Sequence, residues 1–209
     1  MKKDILTIKI EPQSLQSLKQ AGYCLCLAGK PKDEAFTVIW YATDQYQVSN
    51  QIELKDEYEM GASNGVIPRK EVKIDFSHTP IQIGEQCTIN NYGILSPSIT
   101  GDTPDAMVLD NQYGLLHPVL LRSGIGIQGE PFCNPVYVSH SKILPGIVEL
   151  FPGYEIKIWF AQSALSGTVL PEEKWKVMRS ARSREIIIDF EKRNSPELYF
   201  ENFNWKITK

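Results

Sequence analysis

Apolar and polar residues alternate with a period of two along Thr7 to Ile10, Phe36 to Tyr41, Glu71 to Phe76, Tyr154 to Phe160 and Glu185 to Phe190. Successive side chains of an extended chain point to opposite faces, so this period predicts half-buried β-strands. Turn signals stand between them, among them Asn64-Gly65, Gly101-Asp102, Pro145-Gly146 and Pro152-Gly153, at spacings that suit hairpins and meanders. Helical spacing is confined to Ser14 to Gln20, where Leu15 and Leu18 fall on one side and Gly22 supplies a stop. The predicted class is all-β.

Laid against itself, the chain repeats. Ile39-Trp40-Tyr41-Ala42 matches Ile158-Trp159-Phe160-Ala161, Lys70 to Phe76 matches Arg184 to Phe190, and Asn91-Tyr92-Gly93-Ile94 parallels Asn204-Trp205-Lys206-Ile207, with the order kept. The matches predict two related halves, residues 30–95 and 147–209, joined by a connecting region, 96–146. Halves of that size bury too little apolar area alone. The expectation is therefore one domain over residues 1–209, a β-sandwich whose halves share a core, with Trp40, Trp159, Phe76 and Phe190 as its equivalent positions. A shorter echo, Tyr-Gly-(Ile/Leu)-Leu-x-Pro, occurs at Tyr92 to Pro97 and again at Tyr113 to Pro118. It suggests a short strand that leaves its sheet with the same geometry each time. Alternation from Tyr199 to Ile207 puts Tyr199, Phe203, Trp205 and Ile207 on one face. That face is read as core; aromatics left at a sheet rim would instead stack on sugar rings or sit at a membrane interface.

Composition narrows the partners more than the activity. The 209 residues are 42% hydrophobic and 22% charged, with 22 Lys+Arg against 25 Asp+Glu, a formal net charge of -3. These are globular averages without a general attraction to nucleic acid. No apolar run reaches the roughly 18 residues a membrane helix needs. Lys9 and Glu11 interrupt the first apolar stretch before the core of a signal peptide forms. Four cysteines are too few for a disulfide scaffold; free thiols and a reducing, cytoplasmic compartment are expected. Cys24 and Cys26, two apart on one strand, read as packing residues because no second ligand pair accompanies them.

Several motifs invite chemistry and lack its context. Gly61-Ala62-Ser63-Asn64-Gly65 fits the G-x-S-x-G nucleophile elbow, yet it runs through Pro68 into an extended stretch and not into a helix. Gly124 to Gly129 fits G-x-G-x-x-G, but Pro131 and Pro135 oppose the helix whose N-terminus would hold a pyrophosphate. His78, His117 and His140 share no metal spacing. Asp102, Asp105 and Asp110 form an oxygen-rich stretch for which Ca²⁺ is the suitable cation, without EF-hand spacing. Lys174, Lys176, Arg179, Arg182 and Arg184 are the one basic concentration, diluted by Glu172, Glu173 and Glu185 and read as a solvated hairpin.

The expectation is a non-enzymatic recognition module, lectin-like, with no catalytic residues and no required cofactor. It would bind carbohydrate or another small ligand through Tyr46, Asn50, Asn111 and Tyr113, whose amide and aromatic groups suit sugar hydroxyls and ring faces. A membrane-active or self-assembling β protein is the alternative, motivated by the polar alternation from Gln45 to Glu59. Peripheral membrane contact belongs to that reading; a homodimer through exposed edge strands is expected independently of it. An enzyme with a dispersed site is the third, with His117, His140 and Asp110 as its members.

Overall fold

The computed structural model describes residues 4–171, 183–193 and 195–208. The fold is mostly β. Among the described residues three sheets and one short helix are arranged around a shared apolar cluster.

The large sheet is centred on β1 (Asp4–Ile10) and β4 (Ser49–Ser63). Their register pairs Asp4 with Leu54 and Lys9 with Ser49. Beyond β4 come β9 (His117–Ile125) and β10 (Pro131–Val138), with the short β5 (Thr79–Ile81) also paired to β4. Beyond β1, β14 (Glu197–Glu201) adds in parallel, and β15 (Asn204–Ile207) closes a hairpin on it. A second sheet orders β13 (Ile186–Asp189), β12 (Glu155–Gln162), β2 (Tyr23–Gly29) and β3 (Tyr41–Thr43). The third orders β11 (Gly146–Leu150), β8 (Met107–Asn111), β6 (Glu85–Ile89) and β7 (Ile99–Thr100). The helix α1 (Pro12–Gln20) follows β1, with Leu18 buried and Lys19 in its last turn; Gly22 at φ 68 reverses the chain into β2.

β1 illustrates how the alternation becomes packing. Asp4, Leu6, Ile8 and Ile10 are buried and the residues between them half-buried. The main cluster draws Leu6 and Ile8 from β1, Leu25 and Leu27 from β2, Met107 and Leu109 from β8, and Phe160 and Phe200 from β12 and β14. Phe160 meets the rings of Tyr46, Phe200 and Trp205 at centroid distances of 5.3, 4.8 and 5.5 Å. This aromatic stack links the second sheet to the large one.

β4, the longest strand described, overlaps the stretch from Gln45 to Glu59 noted above for its polar alternation. Its apolar face runs Ile52, Leu54, then Tyr58 and Met60, with a bulge between Leu54 and Tyr58. The bulge presents the Lys55 carbonyl and the Asp56 carboxylate to Arg122 of β9, whose Nε and Nη2 donate to them at 2.7 and 2.9 Å. Arg122 is buried, with Trp40 and Tyr58 rings 5.5 and 5.4 Å from its guanidinium. A buried charge needs such partners.

The matched repeat segments fall on different elements for most of their length. Ile158 to Ala161 lie inside β12, whereas Ile39 and Trp40 precede β3 and Tyr41 and Ala42 lie in it, on the other side of β2 from β12. Arg184 to Phe190 contain β13, whereas Lys70 to Phe76 contribute one isolated bridge, Glu71 to Thr168. Asn204 to Ile207 form β15, whereas Asn91 to Ile94 are a turn. Trp40 belongs to the main cluster and Trp159 to a separate one with Cys26, Ala28 and Ile39. Similar local alternation thus meets different neighbours, and the neighbours decide the element.

Candidate functional site

The four expected ligand residues fall into two pairs. Tyr46 is core: its hydroxyl donates to the Tyr23 carbonyl at 2.9 Å, and the Lys19 ammonium lies 4.3 Å from its ring centroid. Burial pushes its phenol well above the ordinary tyrosine range. Asn50 is also buried; its amide nitrogen donates to the carbonyls of Gln47 (2.7 Å) and Ile8 (3.1 Å), and its oxygen accepts from the Gln47 amide at 2.7 Å. It fixes the entry to β4. Asn111 closes the turn after β8, donating to the Gly114 and Leu144 carbonyls at 2.7 and 3.2 Å and accepting from the Tyr113 amide at 3.1 Å. Tyr113 is exposed, its ring edge-on to Phe76 at 5.1 Å. Three of the four therefore spend polar groups on the fold, and the structure does not bring the two pairs into one site.

The acidic stretch does not converge. Asp102 and Asp105 are exposed in the loop before β8, and the strand carries Asp110 away from them at roughly 3.3 Å per residue. Asp110 accepts from the Gln112 amide at 2.7 Å. Among the described residues no three His, Cys, Asp or Glu gather as a metal site. Ser63 of the G-x-S-x-G match is buried at the end of β4, its hydroxyl donating to the Gly65 carbonyl at 2.9 Å, and no helix follows it. The G-x-G-x-x-G match is the β9–β10 hairpin turn, where Gly126 leaves room for the Tyr41 hydroxyl to donate to Glu130 at 2.7 Å. His117 is buried, with Nδ1 2.8 Å from the Ser139 carbonyl oxygen. Lys174, Lys176, Arg179 and Arg182 lie outside the described residues; Arg184 is within them.

One polar cluster was not anticipated. On β4, Glu59 accepts from His78 Nδ1 through one carboxylate oxygen, and the Cys133 sulfur of β10 stands 3.7 Å from the other. Burial, joined by the negative charge of Glu59 and Glu57, pushes the Cys133 thiol up, against a weaker opposing effect from Ser123. A nucleophilic cysteine needs the reverse, a lowered pKa beside a cation. Cys26 and Cys87 are buried, and burial raises both thiols, Cys87 to about 12. The four cysteines are free.

A groove of about 570 Å³ runs between α1, the start of β2 and the β14–β15 turn. Ser17 and Leu18 come from the helix, Tyr23 from β2, Arg184 from the segment before β13, and Phe203 and Asn204 from the hairpin. The turn decides its shape. Glu201 pairs with Asn204, leaving Asn202 and Phe203 as a two-residue loop with φ of 48° and 59°. Two positive values match the hairpin turn that follows the twist of the strands. Asn tolerates that conformation; a bulky aromatic rarely adopts it. Phe203 does so with its side chain 54% exposed.

The groove's polar groups are arranged around that ring. Arg184 donates one N–H to the Asn204 side-chain oxygen at 3.2 Å, and its carbonyl accepts from the Trp205 indole at 2.9 Å. A guanidinium carries five N–H donors, so this contact orients the fork without exhausting it. Glu11, just before α1, holds the turn: its Oε2 accepts from Ser14 at 2.8 Å and from the Asn202 amide at 3.1 Å. These hydrogen bonds keep its carboxyl below the usual range. Tyr46 supports the wall from behind through the Tyr23 carbonyl, and Trp205 stacks on Phe160 with planes 4° apart.

No protein-family model, curated protein or solved structure matches the chain. The functional reading therefore rests on geometry. The groove combines an exposed aromatic ring with amide, hydroxyl and guanidinium groups, a set that can bind a polar ring compound.

Proposed function

We propose that this protein is a non-enzymatic recognition module that binds a saccharide in the groove between α1 and the β14–β15 turn. The observation that carries the reading is Phe203. An exposed phenyl ring on a strained backbone, at the rim of a groove, is costly to keep. A function that uses the ring face accounts for its retention there. The apolar face of a pyranose would stack on Phe203 while its hydroxyls meet Arg184, Asn204 and Ser17. In the same reading the large sheet and the β13–β12–β2–β3 sheet form the two leaves of a sandwich, packed through Phe160 and Phe200, with the groove opening at its rim.

The experiment is isothermal titration of the protein with neutral monosaccharides and disaccharides up to millimolar concentration, beside the Phe203→Ala variant. A saturable heat that the substitution removes is the expected result. Absence of heat with every sugar, or identical titrations for both proteins, overturns the reading.

A further inference from the structure

The Tyr-Gly-(Ile/Leu)-Leu-x-Pro echo has no part in the groove, yet both copies adopt the same disposition. In the first, Leu95 is buried while Tyr92 and Ile94 are exposed; in the second, Leu116 is buried while Tyr113 and Leu115 are exposed. One leucine anchors each loop and the aromatic and the preceding aliphatic residue are presented outward. The two loops meet: a Cβ at Gly93 would lie 3.1 Å from the Phe76 ring and 3.3 Å from that of Tyr113. The Gln112 amide also donates to the Ile89 carbonyl at 2.8 Å.

A third loop joins them. Asn111 donates to the Leu144 carbonyl at 3.2 Å, and Leu116 bridges to Ile143. Leu144 is 72% exposed, Tyr92 80%, and Ile147 also lies in solvent. Scattered exposed apolar residues are ordinary; a contiguous patch marks an interaction surface. Residues 90–97, 111–117 and 143–148 contain no Asp, Glu, Lys or Arg, and Asp110, Lys142 and Glu149 stand at their borders.

We infer that this loop end of the β11–β8–β6–β7 sheet inserts into the interfacial layer of a lipid bilayer. The patch is formed by loop tips, which suit a flat, deformable surface. Two tyrosines carry an apolar ring and a hydroxyl, the combination favoured where hydrocarbon meets headgroups. The uncharged tips match a zwitterionic bilayer, and the interaction needs no anionic lipid. The buried leucines hold the loops in place, so insertion asks for no refolding.

The test is co-sedimentation of the full chain with pure phosphatidylcholine vesicles, in low salt and in high salt, against a quadruple variant with Tyr92→Ser, Ile94→Ser, Leu115→Ser and Leu144→Ser. Sedimentation velocity without lipid is run on both proteins. The expected result is vesicle binding that survives high salt and falls at least about tenfold in the variant, because several apolar side chains leave the bilayer. No binding by the parent protein, or equal binding by both, overturns the inference. So does a dimer that the variant abolishes in the absence of any vesicle binding, which would assign the patch to a second copy of the chain. Because all four residues are exposed, the variant is expected to keep the parent melting temperature. If it unfolds, the single substitutions Tyr92→Ser and Leu144→Ser are read in its place, and unchanged binding in both overturns the inference.

Discussion

The groove beside α1 and the loop end of the β11–β8–β6–β7 sheet expose aromatic rings in opposite ways. In the groove one ring, Phe203, sits among polar groups, and the backbone beneath it is strained. At the loop end two tyrosines sit among aliphatic residues, with glycine at the turn position Gly93 (φ 78°). The difference teaches where each region stores its cost. The groove puts strain in the chain and backs it with the core rings Phe160 and Phe200. The loop end leaves the chain relaxed and exposes apolar surface to water. Substitutions should therefore separate the two regions by what they do to stability.

The largest separation is expected from the ring behind the groove. Phe160 is fully buried and touches Tyr46, Phe200 and Trp205. Phe160→Ala should lower the unfolding free energy by about 3–5 kcal/mol. Tyr92→Ala at the loop end should change it by no more than about 0.5 kcal/mol. Urea titrations of the two variants check the contrast, and equal losses would remove it. Next comes Asn111, a polar anchor of the loop end. Asn111→Ala leaves the Gly114 and Leu144 carbonyls without their donor. A loss of about 2 kcal/mol is expected for such a site, with sugar binding in the groove unaffected. A variant as stable as the parent would show that the loops do not depend on that anchor.

The effects of intermediate size concern features the sequence could or could not convey. β1, β12 and β13 were legible because their alternation is regular, and α1 because Gly22 ends it. β4 was not, because Lys55-Asp56-Glu57 breaks the alternation where the strand bulges toward Arg122, a partner 66 residues away. Of Phe36 to Tyr41 only Tyr41 joins a ladder, as the first residue of β3, with Val38–Val169 as an isolated bridge, and Glu71 to Phe76 contribute only the bridge Glu71–Thr168 among the described residues. Val38, Val72 and Ile74 pack on a small cluster with Val119 and Val138, so their period reports one-sided burial and not strand pairing. Among the candidate site residues, Tyr113 was found in an exposed position, whereas Tyr46 and Asn50 were loop-like in sequence and became a core residue and a buried residue of β4. The run from Tyr199 to Ile207 read as one strand face because Asn202-Phe203 lacks the glycine that announces a hairpin. Of that run only Phe200 is buried, and Phe203 and Ile207 are exposed.

That missing glycine gives the third contrast. Phe203→Gly supplies the turn with its preferred second residue and relieves a conformation that costs an L side chain roughly 1 kcal/mol. The variant should be as stable as the parent or up to about 1 kcal/mol more stable, and it should lose sugar binding. Thermal melts and titration calorimetry on one sample test both halves. A clear loss of stability would mean that the ring is held by packing, and the functional account of its strain would fall.

The smallest effect is a pH dependence confined to the groove. Glu11 clamps the Asn202 amide, and hydrogen bonds from Ser14 and Asn202 lower its pKa in the folded chain. A lowered folded value means that the clamp is complete above the ordinary glutamate range, about pH 4.3, and is lost as the pH falls through the lower, folded value. Sugar affinity should therefore be flat from neutral pH down to the ordinary glutamate range and weaken only below it, while vesicle binding, which uses no charged side chain, stays constant over the same interval. Glu11→Gln should show the weakened affinity at neutral pH and flatten the acid limb. Because the carboxylate lies in solvent, the change is a few-fold at most. Parallel acid limbs for sugar and vesicles would mean that a global loss of structure, and not the clamp, governs both.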